Sequence, residues 1–361
     1  MKKEKTVKKS SVKRNYIYNL LNQIYALIIP LATIPYVSRV LLADGVGKYS
    51  YTASIANYFV MFASLGITMY IQREIANHQG DKHKQSVIFW ETNIIKFVTS
   101  FLSLALFIIL CISGVFEVHT NLMWCWSILI VAQMFDITGL LQGNEKFGQI
   151  VLRNVILKTI CLILIFVFVK DSNDVWIYVV LNSSAVLLAS LALWVDLSSM
   201  IEKVKLKELK PKRHILPVLK LFVPTIAISL YTVLDKTLIG VLITDTYVES
   251  TTVVVDGIEK VVETTKKYSE LENGYYEQAE KIVRMSLTLI TALATIMISK
   301  NSNEIAKGNK EAVRENLYFS SRFVMLLGVP MAFGLISLAP NLIPWFLGED
   351  FNKSILLMQL F

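Results

Sequence analysis

Two prolines lie inside the first long apolar run of this chain, and they constrain its fold more than any other feature. The run belongs to NYIYNLLNQIYALIIPLATIPYVSRVLLADGVGKYSYT, residues 15–52, and contains Pro30 and Pro35. A proline within a helix removes a backbone hydrogen bond and bends the axis. Because lipid cannot satisfy the freed carbonyl, the bend must pack on protein or face a cavity. We therefore predict a membrane helical hairpin that turns at Asp44, Gly45 and Gly47 and needs neighbouring helices around its kinked first arm.

Composition and the lengths of the apolar runs place the whole chain in a membrane. The 361 residues are 54% hydrophobic with a mean hydropathy of +0.52, whereas soluble domains are about 45–50% apolar. A bilayer crossing needs about 20 apolar residues. Runs of this kind predict an all-α polytopic membrane protein with about ten transmembrane helices, centred on residues 16–37, 49–71, 88–112, 122–141, 151–169, 175–195, 215–243, 275–298, 318–338 and 342–361.

The basic residues predict the orientation of these helices. The net charge of +8 is concentrated before residue 15 and in every second connection, most densely in EKVKLKELKPKRH at residues 202–214. Loops rich in lysine and arginine stay on the cytoplasmic side. This alternation predicts a cytoplasmic N-terminus, and it accounts for the positive charge without a nucleic-acid partner.

Cysteines and histidines give no sign of a disulfide framework or a metal site. Cys111, Cys125 and Cys161 lie in apolar runs without paired spacing, so they read as buried thiols. The four histidines fall in predicted loops and lack the spacing of metal ligands. We predict no metal and no cofactor. The first apolar run is long and has no small-residue cleavage site, so we expect it to remain as a helix.

The seventh connection differs from the others because it is acidic. Within residues 244–280, TTVVV and IEKVV flank the dipeptide Asp256-Gly257. Strand-forming residues on both sides of Asp-Gly are the strongest short-range signal for a β-hairpin. We predict a small external β-hairpin within an insertion at residues 245–273; a disordered acidic loop is the alternative.

Two helical hairpins share a pattern that suggests an internal repeat. The first has Pro30, then Arg39, then Gly47-Lys-Tyr49. The second, six helices later, has Pro224, then Asp235-Lys236, then Gly274-Tyr275-Tyr276. Parallel repeats of this kind are a common plan of transporters.

Four separated segments carry a resemblance to a known family. They are PYVSRVLLADGVGKYSYTASIANYFVMFASLGI with the following REIA, then LQGNEKF, LDKTLIG and GYYEQAEKI. The chain resembles the bacterial Wzx-type polysaccharide flippases, the O-antigen and capsule repeat-unit transporters of the multidrug/oligosaccharidyl-lipid/polysaccharide exporter superfamily. In that family LDKTLIG is usually followed closely by GYYEQAEKI, whereas here the acidic segment intervenes.

The resemblance implies two six-helix lobes that face each other across a central cavity. It divides the chain into an N-terminal lobe (1–200), a cytoplasmic basic linker (201–214) and an incomplete C-terminal lobe (215–361), since family members have twelve to fourteen helices. It implies transport, by alternating access, of an undecaprenyl-pyrophosphate-linked oligosaccharide to the outer leaflet. It also implies coupling to a proton or sodium gradient, contact with membrane lipids, and partnership with the polysaccharide polymerase and chain-length machinery.

Ionisable residues inside apolar runs are candidate functional residues because burying them in lipid is costly. One reading makes Arg39, Lys236, Lys281 and Arg284 a cationic cavity wall for the pyrophosphate, with Asp235, Glu277 and Glu280 in pairing or proton coupling. The alternative is that the same charges snorkel or form salt bridges between neighbouring helices. Pro30, Pro35 and Pro224 are candidate hinges.

A further carboxylate, Asp136, lies in the predicted fourth helix. Burial raises the pKa of a carboxylate, which would make it a proton-coupling candidate. The alternative is an ion pair with Arg153 or Lys158 that fixes the neighbouring hairpin.

Two other classes of protein compete with a flippase. A drug or cation antiporter of the same superfamily predicts a mainly acidic cavity, which the basic candidates disfavour. A membrane glycosyltransferase, acyltransferase or polymerase of the same pathway requires a nucleophile, an acid–base pair or a carboxylate cluster. The sequence shows no such constellation, so we predict a transporter and not an enzyme.

Overall fold

The computed structural model describes the backbone of residues 9–116, 119–255, 258–306 and 309–361. Side chains are described for residues 24–116, 119–248, 265–288, 290, 301 and 309–361. The chain forms twelve helices and two strands in these ranges: α1 Lys9–Ser64, α2 Ile67–Asn77, α3 Lys82–Ile112, α4 Thr120–Phe135, α5 Thr138–Gly143, α6 Phe147–Phe168, α7 Val175–Leu193, α8 Leu197–Met200, α9 Lys212–Leu242, β1 Thr246–Val255, β2 Ile258–Lys267, α10 Tyr268–Ala306, α11 Lys310–Leu347 and α12 Ser354–Leu360.

The fold class is confirmed as a helical polytopic membrane protein. Among the described residues, seven segments are long and apolar enough to cross a bilayer. One of them, Ile24–Asn77, contains two of the ten predicted runs. The predicted run at 275–298 falls within α10, and the side chains of residues 291–300 lie outside the description.

The helices carry their polar side chains inwards. On α3, Phe101, Leu102 and Ile109 are exposed, whereas the polar residues Lys96, Ser100 and Ser103 on the other side of the helix are buried. A soluble helix shows the reverse pattern, so the exposed apolar face of α3 suits lipid. Buried apolar residues of α1, α6, α7, α10, α11 and α12 form one core, which packs these six helices together.

The first helical hairpin breaks earlier than predicted. The backbone of α1 leaves the helical region at Leu42, where φ is 57°, and not at Asp44, Gly45 and Gly47. The amide of Ala43 is the first donor of the second arm, and it donates to Asp350 Oδ2 at 2.6 Å. A carboxylate in this position caps the new helix and fixes its start. We call residues 9–41 the first arm of α1 and residues 43–64 its second arm.

The predicted boundary between the last two apolar runs is wrong. We expected a connection between residues 338 and 342, but α11 continues as a helix through Pro330, Pro340 and Pro344 and ends at Leu347. The chain turns at Gly348, which has a φ of 107° that a side chain would oppose. The separate helix after that turn, α12, is only seven residues long.

The strands β1 and β2 pair antiparallel, with Val255 opposite Ile258 and Thr246 opposite Lys267. This agrees with the hairpin expected around Asp256-Gly257, although those two residues lie outside the described part. The end of the helix bundle that carries this hairpin also carries the Leu42 break and a 3₁₀ turn at Ser172–Asp174. We call it the hairpin end and the opposite one the linker end.

At the linker end, a buried carboxylate joins α3 to the beginning of α9. Glu91 accepts hydrogen bonds from the Lys210 amide at 2.6 Å and from Arg213 Nη2 at 2.6 Å. His214 Nε2 lies 2.6 Å from the same carboxylate, and His214 Nδ1 is bonded to the Tyr70 hydroxyl. A buried carboxylate with several charged partners holds its helices strongly, because removing a partner would leave an uncompensated charge. The division into a lobe, linker and second lobe at 200 and 214 stays a prediction.

Candidate functional site

A cavity of about 690 Å³ lies inside the helical bundle, and we call it the central cavity. It is bounded by the first arm of α1, the end of α4, and α6, α7 and α10. Residues that line it include Pro30, Thr33, Tyr49, Gln133, Asp136, Thr138, Asn154, Lys158, Tyr178, Asn182, Ser190, Glu277, Lys281, Arg284 and Thr288. Pro30 lines this space, which is one of the two surroundings, protein or a cavity, expected for a proline inside the first apolar run.

The charged residues that line the central cavity are three basic and two acidic side chains. Two of the bases lie on α10, where Lys281 Nζ is 2.8 Å from Glu277 and Arg284 Nη2 is 2.6 Å from Glu280. Each pair is four residues apart, so one face of α10 brings base and acid together. The positive charges of Lys281 and Arg284 are therefore compensated by buried glutamates.

Lys236, on α9, joins this network from outside the central cavity. Its ammonium group forms salt bridges with Glu277 and, at 2.9 Å, with Glu280. Glu277 also accepts a hydrogen bond from Ser50 at 2.8 Å. Lys236 faces a second cavity of about 410 Å³ between the second arm of α1 and α9. These contacts tie α9 to α10, as the salt-bridge reading of the charged stripe expected.

Lys158 is the cavity base that has no such compensation. It lies on α6, its side chain is exposed to the central cavity, and it forms no ion pair or hydrogen bond with the described residues. Arg153, one turn earlier, is 2.5 Å from Asp196. An ammonium group without an ion-pair partner keeps its full charge for an incoming anion. Lys158 is therefore the base of the lining that no carboxylate of the described residues offsets.

Asp136 has a different partner from the two that the sequence suggested. It follows α4 at a break in the helix, and Lys96 on α3 lies 3.3 Å from its carboxylate and donates to its backbone carbonyl. Thr68 and Thr138 also donate to the carboxylate, at 3.1 and 2.6 Å. Neither Arg153 nor Lys158 is the counterion, because Arg153 is bonded to Asp196 and Lys158 points into the cavity. Lys96 was not among the predicted site residues, although a lysine in the middle of an apolar run is a candidate functional residue.

The other candidates lie apart from the central cavity. Arg39 is exposed and donates from Nη2 to the carbonyl of Trp345 at 2.5 Å, so it caps the end of α11. Asp235 accepts a hydrogen bond from the Tyr276 hydroxyl at 2.7 Å. Pro35 is half-buried in α1, and Pro224 is exposed on α9. The backbone break in α1 lies at Leu42, beyond both prolines of the first arm.

Neutral polar and aromatic groups complete the cavity. Asn154 and Asn182 face it from α6 and α7. Towards the hairpin end, the rings of Tyr49 and Tyr178 are 4.8 Å apart, and Lys281 Nζ lies 5.7 Å from the Tyr49 ring centre. Amide and aromatic side chains of this kind bind hydroxyl-rich ligands well. The sequence pattern did not reveal them, because a single asparagine in an apolar helix is as typical of hydrogen bonding between helices.

Beyond the tyrosines, the hairpin end is closed by direct contacts between α1 and α10. Gly47 and Gly274 allow this approach. A Cβ atom on Gly47 would lie 1.5 Å from the Glu270 carbonyl oxygen, and one on Gly274 would lie 2.0 Å from the Ala43 carbonyl oxygen. Only glycine permits such backbone contact. The two glycines occupy matching positions of the suggested repeat, so the repeated motifs pack on each other.

Ionic contacts surround the two glycines. Lys48 Nζ lies 2.9 Å from Asp44 and 3.6 Å from Glu270, and Lys266 Nζ lies 3.2 Å from Asp44. His119 Nε2 lies 3.3 Å from Glu270. We refer to Gly47, Gly274 and these charged residues as the hairpin-end seal. The hairpin-end seal lies beyond Tyr49 and packs the second arm of α1 against α10.

A multi-pass helical membrane fold with a charged internal cavity is the architecture that the structure defines. The family comparison is specific, because a model described as "Polysaccharide biosynthesis protein" matches residues 12–299, and a second with the same description matches residues 255–356. The chain belongs to this polysaccharide biosynthesis family.

Curated relatives agree with this assignment. A protein of Escherichia coli (strain K12) named "Putative O-antigen transporter" is 29% identical over 227 residues, which are 62% of this chain and 54% of that protein. A protein of the same name from Shigella flexneri is 27% identical over 151 residues, 38% of this chain and 35% of that protein. The chain thus spans about half and about a third of the length of these relatives. No solved structure matches the chain.

Proposed function

We propose that this protein is a flippase that moves undecaprenyl-pyrophosphate-linked oligosaccharide repeat units across the plasma membrane for cell-surface polysaccharide biosynthesis. The observation that carries the proposal is the unpaired Lys158 in the central cavity, which adds a net attraction for anions to a polar, aromatic lining. The membership of the polysaccharide biosynthesis family and the names of the relatives support the same class of cargo.

Each part of the cargo has a matching surface. The pyrophosphate is drawn to Lys158, while Asn154 and Asn182 offer hydrogen bonds to sugar hydroxyls. The polyprenyl chain stays in lipid, along the exposed apolar helix faces. Separating the cargo in this way avoids burying either the charge in hydrocarbon or the hydrocarbon in water.

The orientation and the direction of transport follow from the charge pattern of the loops. The basic linker at 202–214 supports a cytoplasmic position of the linker end, because loops rich in lysine and arginine stay on that side. The hairpin end then faces outwards, and the seal closes the cavity towards the outside. Loading occurs from the cytoplasmic side in this conformation, and release requires the hairpin-end seal to open.

Antiport of drugs or cations is the competing function within the superfamily. It requires a cavity whose carboxylates are free to bind a cation. Here the cavity carboxylates Asp136 and Glu277 are each in contact with at least one lysine, and the cavity bases outnumber the acids. The charges of the lining therefore favour an anionic cargo.

The proposal is tested by transbilayer movement in liposomes. The purified chain is reconstituted with a lipid-pyrophosphate-linked oligosaccharide, and a glycosidase that cannot enter the vesicles is added outside. In protein-free vesicles, only the outer-leaflet lipid is cleaved. We expect the inserted chain to make the inner-leaflet pool cleavable as well.

A phosphate-free glycolipid with the same glycan serves as the control, and it should move more slowly because Lys158 attracts only the charged cargo. Cleavage that stays at the protein-free level with correctly inserted protein would contradict the proposal. Equal movement of both lipids would reject the recognition of the pyrophosphate.

A further inference from the structure

The hairpin-end seal contains two carboxylic acids that lie against each other. Asp44, on the second arm of α1, and Glu270, in the first turn of α10, are 8% and 5% exposed. Their carboxyl groups meet at one ammonium group, since Lys48 Nζ lies 2.9 Å from Asp44 and 3.6 Å from Glu270. Two ionised carboxylates in such contact repel each other, so a proton between them would stabilise the pair.

The contacts around the two acids indicate that Glu270, and not Asp44, carries the proton. Lys48 and Lys266 both contact Asp44 through Oδ2. Asp44 Oδ1 is buried, and no group of the described residues donates a hydrogen bond to it. A protonated Glu270 can supply the missing hydrogen bond, because its hydroxyl can donate to Asp44 Oδ1.

Among the described residues, charged groups from three parts of the fold act on the pair. Lys48 comes from α1, His119 from the turn before α4, and Lys266 and Lys267 from β2. Burial and the hydrogen bond with Asp44 raise the pKa of Glu270 to about 7, while the nearby Lys48 opposes this shift. Glu270 precedes the apolar run that begins at Tyr275, so it meets water when the seal opens.

We propose that Asp44 and Glu270 form a proton-binding site that couples the opening of the hairpin end to the release of one proton. In the sealed state, the proton is bonded to Glu270 and shared with Asp44. On opening, the Glu270 O–H bond breaks, the proton passes to water, and the carboxylate remains hydrated on α10. Closing takes a proton up again. This assignment rests on the proposed function, since the seal must open if cargo leaves at this end.

The direction of the pH dependence follows from linkage. Glu270 holds its proton more tightly in the sealed state than in the open state, where its pKa returns towards 4.5. Acid therefore favours the sealed state, and this advantage is lost as the pH rises through about 7. The ratio of sealed to open molecules is expected to fall on the order of 20-fold between about pH 5.5 and about pH 8.

A further buried group makes the sealed state easy to disturb. The side-chain amide of Asn273, fully buried beside Gly274, has neither its nitrogen nor its oxygen bonded to a described residue. Buried polar groups without partners favour a state in which water reaches them. Opening the seal would hydrate this amide, which offsets part of the cost of separating α1 from α10.

The test measures the width of the hairpin end without any cargo. Spin labels on Asn173→Cys and Asn352→Cys, both exposed, report the distance across the seal by double electron–electron resonance in a background without the native cysteines. We expect the short-distance population to dominate at about pH 5.5 and the long-distance population to grow at about pH 8.

Three variants decide which group titrates. Glu270→Gln keeps a donor for Asp44 without a titratable proton, so it should stay sealed at both pH values. Glu272→Gln, two residues away and paired with Lys353, should respond like the parent. His119→Gln should retain the response as well.

A distance distribution in the parent that does not change with pH would overturn the proposal. So would a pH response that survives in Glu270→Gln or disappears only in His119→Gln. Because the measurement uses no cargo, it is independent of the flipping assay. A pH-dependent seal in a protein that moves no lipid would leave the proton site intact and reject the proposed function.

Discussion

Replacing Lys158 with glutamate is expected to stop movement of the pyrophosphate-linked cargo almost completely, whereas Lys158→Arg should retain most of it. One charge about 5 Å from a phosphate at an effective dielectric constant of about 20 contributes roughly 3 kcal/mol. Reversing the charge replaces attraction by repulsion, so a loss of a hundredfold or more in rate at limiting cargo is expected. The glycosidase assay in liposomes measures this loss directly.

The matched control for this variant is Lys146→Glu. Lys146 precedes the first residue of the same helix and does not line the central cavity. It carries the same change in net charge, so it separates an effect of the cavity from an effect of total charge. Equal losses in both variants, or normal movement in Lys158→Glu, would show that Lys158 does not recognise the cargo.

Gly274→Ala is expected to prevent the hairpin end from closing. The added methyl group would lie 2.0 Å from the Ala43 carbonyl oxygen, and the neighbouring atom is backbone that cannot rotate away. The contact between α1 and α10 must therefore separate. We expect the spin-label distance across the seal to be long at every pH, and transport to be lost because the cavity no longer closes at this end.

Gly334→Ala provides the control, because apart from the backbone of its own helix no atom of the described residues lies within 4 Å of the added methyl group there. Alanine is also the better helix former, so this variant should remain stable and active. A short distance across the seal in Gly274→Ala would mean that α1 and α10 do not meet there. A variant that fails to insert is recognised by its elution as an aggregate, and Gly47→Ala then poses the same question, because its methyl group would meet the Glu270 carbonyl.

The sequence predicts the fold class well, because the length and polarity of apolar runs have few solutions in a bilayer. The two wrong boundaries have local causes. At the first, Asp350, about 300 residues away in the chain, caps the second arm of α1, so the break moves to Leu42. At the second, Pro340 and Pro344 remain helical, and the chain turns only where Gly348 allows a positive φ.

The candidate site is less predictable, since a charge on a helix gives no information about its partner. The spacing of Glu277 and Lys281 correctly suggests one face of α10. It does not show that Lys236 approaches from α9, or that Lys158 is left without a counterion. Lys96 is a second case in which the sequence does not reveal the partner, because Asp136 is 40 residues away and follows another helix. Pairing across helices is a property of the packed bundle.

The most direct test of the account asks whether cargo occupies the central cavity. Asn182→Cys places a thiol in this cavity, and Ser229→Cys places one in the second cavity beside Lys236. Each variant, in a background without the native cysteines, is labelled with a small thiol reagent in liposomes with and without the lipid-pyrophosphate-linked oligosaccharide. The account predicts that the cargo protects Asn182→Cys and leaves Ser229→Cys unchanged. Labelling of Asn182→Cys that is unaffected by cargo, in vesicles that still move it, would contradict the account.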